Sequence, residues 1–247
     1  MSQAAHAETR TAQDVVRDVR VTQSPNGICY ATVGEINLPS MEVENLVAAV
    51  PPVIAAALDR KAFYFVPLAL GDGDQTLVPE RFDSSMIDQA TCHLNIETGD
   101  SQCIFISTRL LDDRFSIAFE FYINVAHAFV EKAGVSPEFA DLVWKQATGG
   151  VRGETSVDAY EFRKRALGEE SGQIDEKARS SYATAAFADA IAIYLLSLYL
   201  DVNYYDLRER DCPLLAPAAL AERLRKIAEL FPPPPGFQFN IFYRRRG

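Results

Sequence analysis

Four polar side chains recur at helical spacing within an otherwise apolar stretch of this sequence. Glu120, Asn124, His127 and Glu131 follow one another at steps of four, three and four residues. These steps place them on one face of an α-helix, which we expect to run from about residue 112 to residue 133. Histidine and glutamate are residue types that bind zinc and transfer protons in hydrolytic enzymes. The pattern therefore predicts a polar stripe capable of chemistry on an apolar helix.

A second apolar helix carries an acidic residue near its centre. Residues 175–200 are hydrophobic almost all round, which predicts an internal helix, and Asp189 lies within it. A charge buried without a partner costs several kcal/mol, so both Asp189 and His127 require partners inside the protein. We expect them to meet, either as a structural pair or in the arrangement that orients metal-binding histidines.

The elements that position these residues predict an α+β fold. Asn26-Gly27 between β-prone runs predicts an N-terminal hairpin, and residues 91–97 and 103–108 predict a second one that leads into the first helix. We expect a small mixed or antiparallel sheet packed on a layer of long helices. Residues 1–14 are predicted to be a disordered tail, and residues 15–247 a single globular domain.

Charge and composition exclude several classes of partner. A net charge of −10 argues against nucleic acid or an anionic membrane, because both require clustered cations. The polar N-terminus lacks the apolar core of a signal peptide, and the four cysteines show no metal-binding spacing. We expect a soluble cytoplasmic protein with reduced cysteines.

The order of elements resembles that of the M48-type zinc metallopeptidases and their small zincin relatives. In that family a strand similar to residues 104–107 precedes the helix that carries the HExxH motif. Residues 188–196 resemble the later helix with the ExxxD motif, and residues 217–230, with Arg223, resemble the closing segment. The resemblance covers residues 103–230 and implies a zincin-like core.

The residues at the motif positions depart from the family pattern. In the HExxH register, Ile123 replaces the first histidine and Asn124 the general base, while His127 remains as the last histidine. In the ExxxD register Ala185 replaces the ligand glutamate and Asp189 remains as the supporting aspartate. Catalytic zinc needs about three protein ligands, and a general base contributes about 10²- to 10⁴-fold in rate. The resemblance therefore implies a relic site with no catalytic residue and no metal.

Two functions follow from this comparison. The first is a non-catalytic pseudopeptidase that needs no cofactor and acts as a binding or scaffold module for an unidentified protein or peptide. Such a ligand is expected to add as an extended strand along residues 103–108. The alternative is a divergent hydrolase with one divalent metal ion bound by His127, Glu120 and a carboxylate from Glu154 or Asp158. A solvated or hydrogen-bonded polar face is the structural alternative to that metal site.

Overall fold

The computed structural model describes residues 8–72, 75–169, 172–207 and 211–241. It confirms the predicted α+β class, with two small open sheets and several long helices. Backbone contacts divide the chain into two compact units, Met1–Phe121 and Tyr122–Gly247. The single domain predicted over residues 15–247 stays a prediction.

The first unit contains all the strands that the structure describes. They are β1 (Thr9–Thr11), β2 (Thr22–Gln23), β3 (Cys29–Thr32), β4 (Lys61–Val66), β5 (Ala69–Asp72), β6 (Gln75–Pro79), β7 (Ala90–Thr91), β8 (His93–Thr98) and β9 (Ser101–Ser107). Its helices are α1 (Ala12–Asp18), α2 (Ser40–Ala48), α3 (Pro52–Ala55) and α4 (Thr108–Leu111). Helix α5 (Arg114–Ala133) begins in this unit and ends in the second.

A five-stranded mixed sheet, in the order β2-β3-β4-β9-β8, forms the centre of the first unit. Strands β3, β4 and β9 are parallel, whereas β2 and β8 pair antiparallel with their neighbours as the two outer strands. The smaller sheet has the order β1-β6-β5-β7 and is antiparallel. The predicted mixed sheet and both predicted hairpins are therefore present.

The two faces of the larger sheet are covered by different helices. On one face, Val15 of α1 belongs to a buried apolar cluster with Tyr64 and Phe105, whose rings stack at 4.8 Å. On the other face, the rings of Phe63 and Phe65 lie 4.9 and 5.6 Å from that of Phe121 in α5. Successive side chains of a β-strand point to opposite faces of the sheet, so Tyr64 lies on one face and its neighbours Phe63 and Phe65 lie on the other.

The predicted disordered tail is wrong for residues 9–14. Strand β1 pairs with β6, and helix α1 begins at Ala12. The Thr11 hydroxyl caps α1 by accepting a hydrogen bond from the Asp14 N–H at 3.1 Å. Ala12 and Val15 are fully buried, so this segment is held by both a cap and apolar burial. Residues 1–7 lie outside the described residues.

The second unit is helical. After α5 its helices are α6 (Pro137–Thr148), α7 (Val157–Ala166), α8 (Glu176–Tyr199) and α9 (Pro217–Leu230). Every side chain of α8 from Ala186 to Leu196 is buried, which confirms the predicted internal helix. Among the described residues α8 is the one helix that is long and apolar enough to cross a membrane. However, 72% of its apolar 18-residue stretch is buried inside the protein, as in a core helix. The segments α2 and Pro52–Leu58 reach the required length and hydropathy only when they are counted together, and the chain is sharply bent between them.

Candidate functional site

The predicted polar stripe lies on α5, but its histidine faces water. Glu120 and Asn124 are half-buried, whereas His127 and Glu131 are exposed. Ile123, at the position of the family's first histidine, is half-buried as well. The expectation of a buried His127 is therefore wrong, because the buried side of this part of α5 is formed by its apolar residues instead.

Asp189 is buried, as predicted, with 8% of its surface exposed. Its Oδ2 atom accepts hydrogen bonds from the Thr155 hydroxyl at 2.7 Å and from the Ser156 hydroxyl at 2.6 Å. Two neutral donors from the loop before α7 thus stabilise the carboxylate, and nothing in the sequence pattern had singled them out. Ala185, one helical turn earlier, is half-buried. The pairing of His127 with Asp189 stays a prediction.

Glu154, one of the two carboxylates of the alternative metal site, has other partners in the structure. Glu154 has no exposed surface, and its Oε2 accepts a hydrogen bond from Arg223 Nη1 at 2.8 Å. Its Oε1 accepts hydrogen bonds from Tyr182, Arg163 and Arg223 at 2.7, 3.2 and 3.2 Å. Asp158, the other proposed acidic ligand, is exposed on α7. Within the described ranges, no three His, Cys, Asp or Glu side chains are grouped so that they could hold a metal ion.

The partners of Glu154 form a buried polar cluster within the second unit. Arg223 is fully buried and also donates to Gln146 Oε1 at 2.8 Å and to the Tyr182 oxygen at 3.0 Å. Burial alone lowers the pKa of Arg223, but the Glu154 carboxylate and the Tyr182 oxygen together outweigh this effect and raise the pKa. The Glu154 backbone is bridged to Leu214 in a short parallel pair. With its acids and donors already paired, the cluster is a structural clamp between the loop before α7 and α9.

The sequence did not predict a close pair of ionisable groups that the structure places in the first unit. His93 of β8 and Glu120 of α5 are joined by a hydrogen bond of 2.5 Å between Nδ1 and Oε1. The His93 side chain is 39% exposed and that of Glu120 is 16% exposed. The hydrogen bond with Glu120 raises the pKa of His93 above its usual value. Glu120 of the predicted stripe therefore contacts the sheet.

The His93–Glu120 pair lies on a strand with one unpaired side. Strand β8 is last in its sheet and pairs with β9, and no described strand pairs with its other side. The Ser107 N–H donates to the Cys92 carbonyl at 2.9 Å, so these two opposite residues form a hydrogen-bonded pair. Hydrogen-bonded and non-bonded pairs alternate along antiparallel strands, and this alternation is the phase of the β8–β9 ladder. The backbone groups of residues 94, 96 and 98 therefore point towards β9. The backbone groups of His93, Asn95 and Glu97 therefore point away from the sheet.

The hairpin turn supports the same phase. Gly99, with φ +58°, occupies the first position of the two-residue loop between β8 and β9, as in a type II′ turn. On the outer side, the His93 carbonyl accepts a hydrogen bond of 3.1 Å from the Thr91 hydroxyl. The N–H groups of His93, Asn95 and Glu97 and the carbonyls of Asn95 and Glu97 make no hydrogen bond to the described part of the chain.

This geometry corrects the predicted position of strand addition. The predicted strand over residues 103–108 corresponds to β9, which lies inside the sheet between β4 and β8. Both of its sides are therefore hydrogen-bonded, and Thr108 already begins α4. The side available to an extended ligand belongs to β8, the strand immediately before it.

Cys92, next to this edge, is not an activated nucleophile. It is exposed at the bend between β7 and β8. Partial burial and the Glu120 carboxylate raise the pKa of its thiol, which disfavours the reactive thiolate. The edge of β8 therefore offers hydrogen bonds and charge rather than covalent chemistry.

A scan against protein-family models and searches of curated proteins and of solved structures found no match to this chain.

Proposed function

We propose that this chain is a non-catalytic, zincin-like pseudopeptidase that binds an extended peptide along the free edge of β8. The observation that carries the proposal is the set of unpaired backbone groups of His93, Asn95 and Glu97 on that edge. In strand addition the main chain of the ligand supplies affinity, and alternate side chains supply specificity. The order of β9, α5 and the later buried helix α8 supports the zincin-like part of the proposal.

Charge at the edge favours a basic ligand. Glu97 is exposed on β8, and the chain as a whole carries a net charge of −10. An oppositely charged side chain directly across an antiparallel pair stabilises the pairing, whereas a like charge destabilises it. We therefore expect an extended peptide with a lysine or arginine opposite Glu97.

The test uses a capped, fluorescein-labelled peptide of alternating lysine and valine, with a glutamate–valine peptide of equal length as its control. We expect saturable fluorescence anisotropy with the lysine peptide and much weaker binding of the glutamate peptide. The Asn95→Pro variant removes the central outward N–H without touching the bonds to β9, and proline is tolerated on edge strands. One lost hydrogen bond corresponds to about a fivefold to tenfold loss of affinity.

Asn95→Ala is the matched control, because it removes the same side chain and keeps the N–H. Equal peptide affinities of the proline and alanine variants would overturn the proposal. A second copy of this chain is the other occupant that a free edge accepts. A dimer detected by light scattering and lost in Asn95→Pro would assign the edge to self-association instead.

A further inference from the structure

A run of four prolines follows helix α9. The sequence reads Phe231, then prolines at positions 232–235, then Gly236. Proline fixes φ near −65°, and a residue that precedes proline is restricted to extended conformations. No cis peptide bond is present among the described residues. These restrictions favour a left-handed polyproline II helix with three residues per turn.

The start of the run is fixed to the second unit. Phe231 is 7% exposed, and its ring centroid lies 5.1 Å from that of Phe129 and 6.3 Å from that of Phe187. The Phe231 carbonyl accepts a hydrogen bond of 2.6 Å from the buried Tyr194 hydroxyl. The chain thus leaves α9 in one direction, determined by packing.

The end of the run is fixed as well. Pro234 is buried, and its carbonyl accepts a hydrogen bond of 3.1 Å from the Phe237 N–H. Gly236, with φ +91°, occupies the turn that this hydrogen bond closes. The ring of Phe239 then packs against Tyr194 at 5.1 Å. The segment is therefore held at both ends rather than hanging from the domain.

The four prolines differ in burial, as a polyproline II helix with three residues per turn predicts for a run that lies against a protein surface. Pro232 and Pro235, three residues apart, are both exposed, whereas Pro234 is buried and Pro233 is half-buried. One edge of the helix therefore anchors it to the protein through Pro234, and another edge presents two proline rings to solvent. We name Pro232 and Pro235 the proline ridge.

We infer that the proline ridge docks into an aromatic-lined groove of a partner protein that recognises polyproline II. Such grooves accept proline rings between aromatic side chains, as in SH3, WW and EVH1 domains. Because the prolines restrict the backbone of the run and both of its ends are anchored, little conformational entropy is lost when it binds. The inference is independent of the edge of β8, since it uses different residues in the other unit.

The test titrates the whole chain into isotope-labelled SH3, WW and EVH1 domains and follows their backbone amide resonances. We expect saturable shifts confined to the aromatic groove of at least one domain, reversed by an excess of free decaproline peptide. The double variant Pro232→Ala, Pro235→Ala should abolish these shifts. Both rings are exposed, so its thermal unfolding should match that of the wild type.

Two variants serve as controls. Pro25→Ala changes an exposed proline in the hairpin turn before β3 and should leave the shifts unchanged. Asn95→Pro should also leave them unchanged, which separates this test from that of the proposed peptide edge. The inference is overturned if none of the three domains shows a saturable shift up to about 1 mM, a concentration at which even weak specific contacts are detected. It is also overturned if the double variant binds as tightly as the wild type.

Discussion

At the scale of residues, Glu154 and Arg223 form a fully buried ion pair in the second unit. Breaking a buried ion pair by removing one partner costs about 3–5 kcal/mol. Arg163 and Tyr182 still donate to Glu154 when Arg223 is lost, so we expect Arg223→Met to lower the free energy of unfolding by about 3 kcal/mol in urea titrations, at the lower end of this range. The effect is large because Glu154 and Arg223 are both 0% exposed.

Two further variants test the origin of this effect. Arg223→Lys keeps the charge but loses the two-pronged contact with both carboxylate oxygens, so we expect an intermediate loss of stability. Adding Glu154→Gln to Arg223→Met should recover part of the loss, because a neutral amide replaces the stranded carboxylate. If the free energy of unfolding of Arg223→Met lay within about 1 kcal/mol of the wild-type value, Glu154 and Arg223 would not act as a structural clamp.

The His93–Glu120 pair predicts a dependence of stability on pH. The hydrogen bond with Glu120 raises the pKa of His93 in the folded protein. The stabilisation is therefore complete below the unfolded pKa of about 6.5 and is lost as the pH rises through the higher folded value. We expect the wild type to exceed Glu120→Gln in melting temperature at about pH 6, and this difference to shrink by about pH 9.

The matching spectroscopic measurement is an NMR titration of the His93 imidazole. Glu120→Gln should return its pKa towards the ordinary value, whereas Glu131→Gln, on the exposed part of α5, should leave it unchanged. An unchanged His93 pKa in Glu120→Gln would show that the contact does not persist in solution.

Single residues also mark the limits of prediction from sequence. The burial of Asp189 was predictable, since an apolar helix leaves few exposed positions. Its donors Thr155 and Ser156 were not, because a hydroxyl in a loop carries no periodic signal. The spacing of the stripe on α5 was correct, but a helix that is apolar nearly all round does not reveal which side faces water. His127 was therefore wrongly expected to be buried.

At the scale of elements, the phase of the β8–β9 ladder makes a paired prediction. The Ile96 N–H faces β9, whereas the Asn95 N–H faces away from the sheet. Ile96→Pro should therefore break a ladder bond and lower the free energy of unfolding by about 1–3 kcal/mol more than Ile96→Ala does. Asn95→Pro should differ little from Asn95→Ala. Thermal or urea unfolding of the four variants measures both differences, and equal effects at the two positions would refute the assigned phase.

The elements with strong local signals were predicted well, and those decided by distant contacts were not. Ser136 precedes Pro137 and Glu138 in the order typical of a helix start, and it caps α6 by accepting a hydrogen bond from the Phe139 N–H. Residues 15–23, the β-prone run before Asn26-Gly27, contribute only Thr22 and Gln23 to a strand, since the first residues of the run belong to α1. Residues 62–70 are one continuous apolar run, yet they are divided between β4 and β5, which belong to different sheets. Residues 237–241 alternate between apolar and polar types as a strand does, but they form no strand.

At the scale of the whole molecule, the α+β class was predictable because it depends only on the sum of local patterns. The division into two units was not, for a physical reason. The boundary between Phe121 and Tyr122 falls inside the continuous helix α5, where no glycine, proline or polar linker marks it. Both flanking residues are apolar and fully buried, so composition does not change at the boundary.

The unpaired edge of β8 also bears on how the protein behaves in concentrated solution. An open strand edge is a template for aggregation, which proteins commonly oppose by placing charges on it. Glu97 is such a charge, and the net charge of −10 keeps copies of the chain apart by mutual repulsion. The net charge fades as the pH approaches the isoelectric point near 4.8. Precipitation on acidification should therefore begin at this edge, and neutral to mildly alkaline buffers are the natural choice for storing the protein.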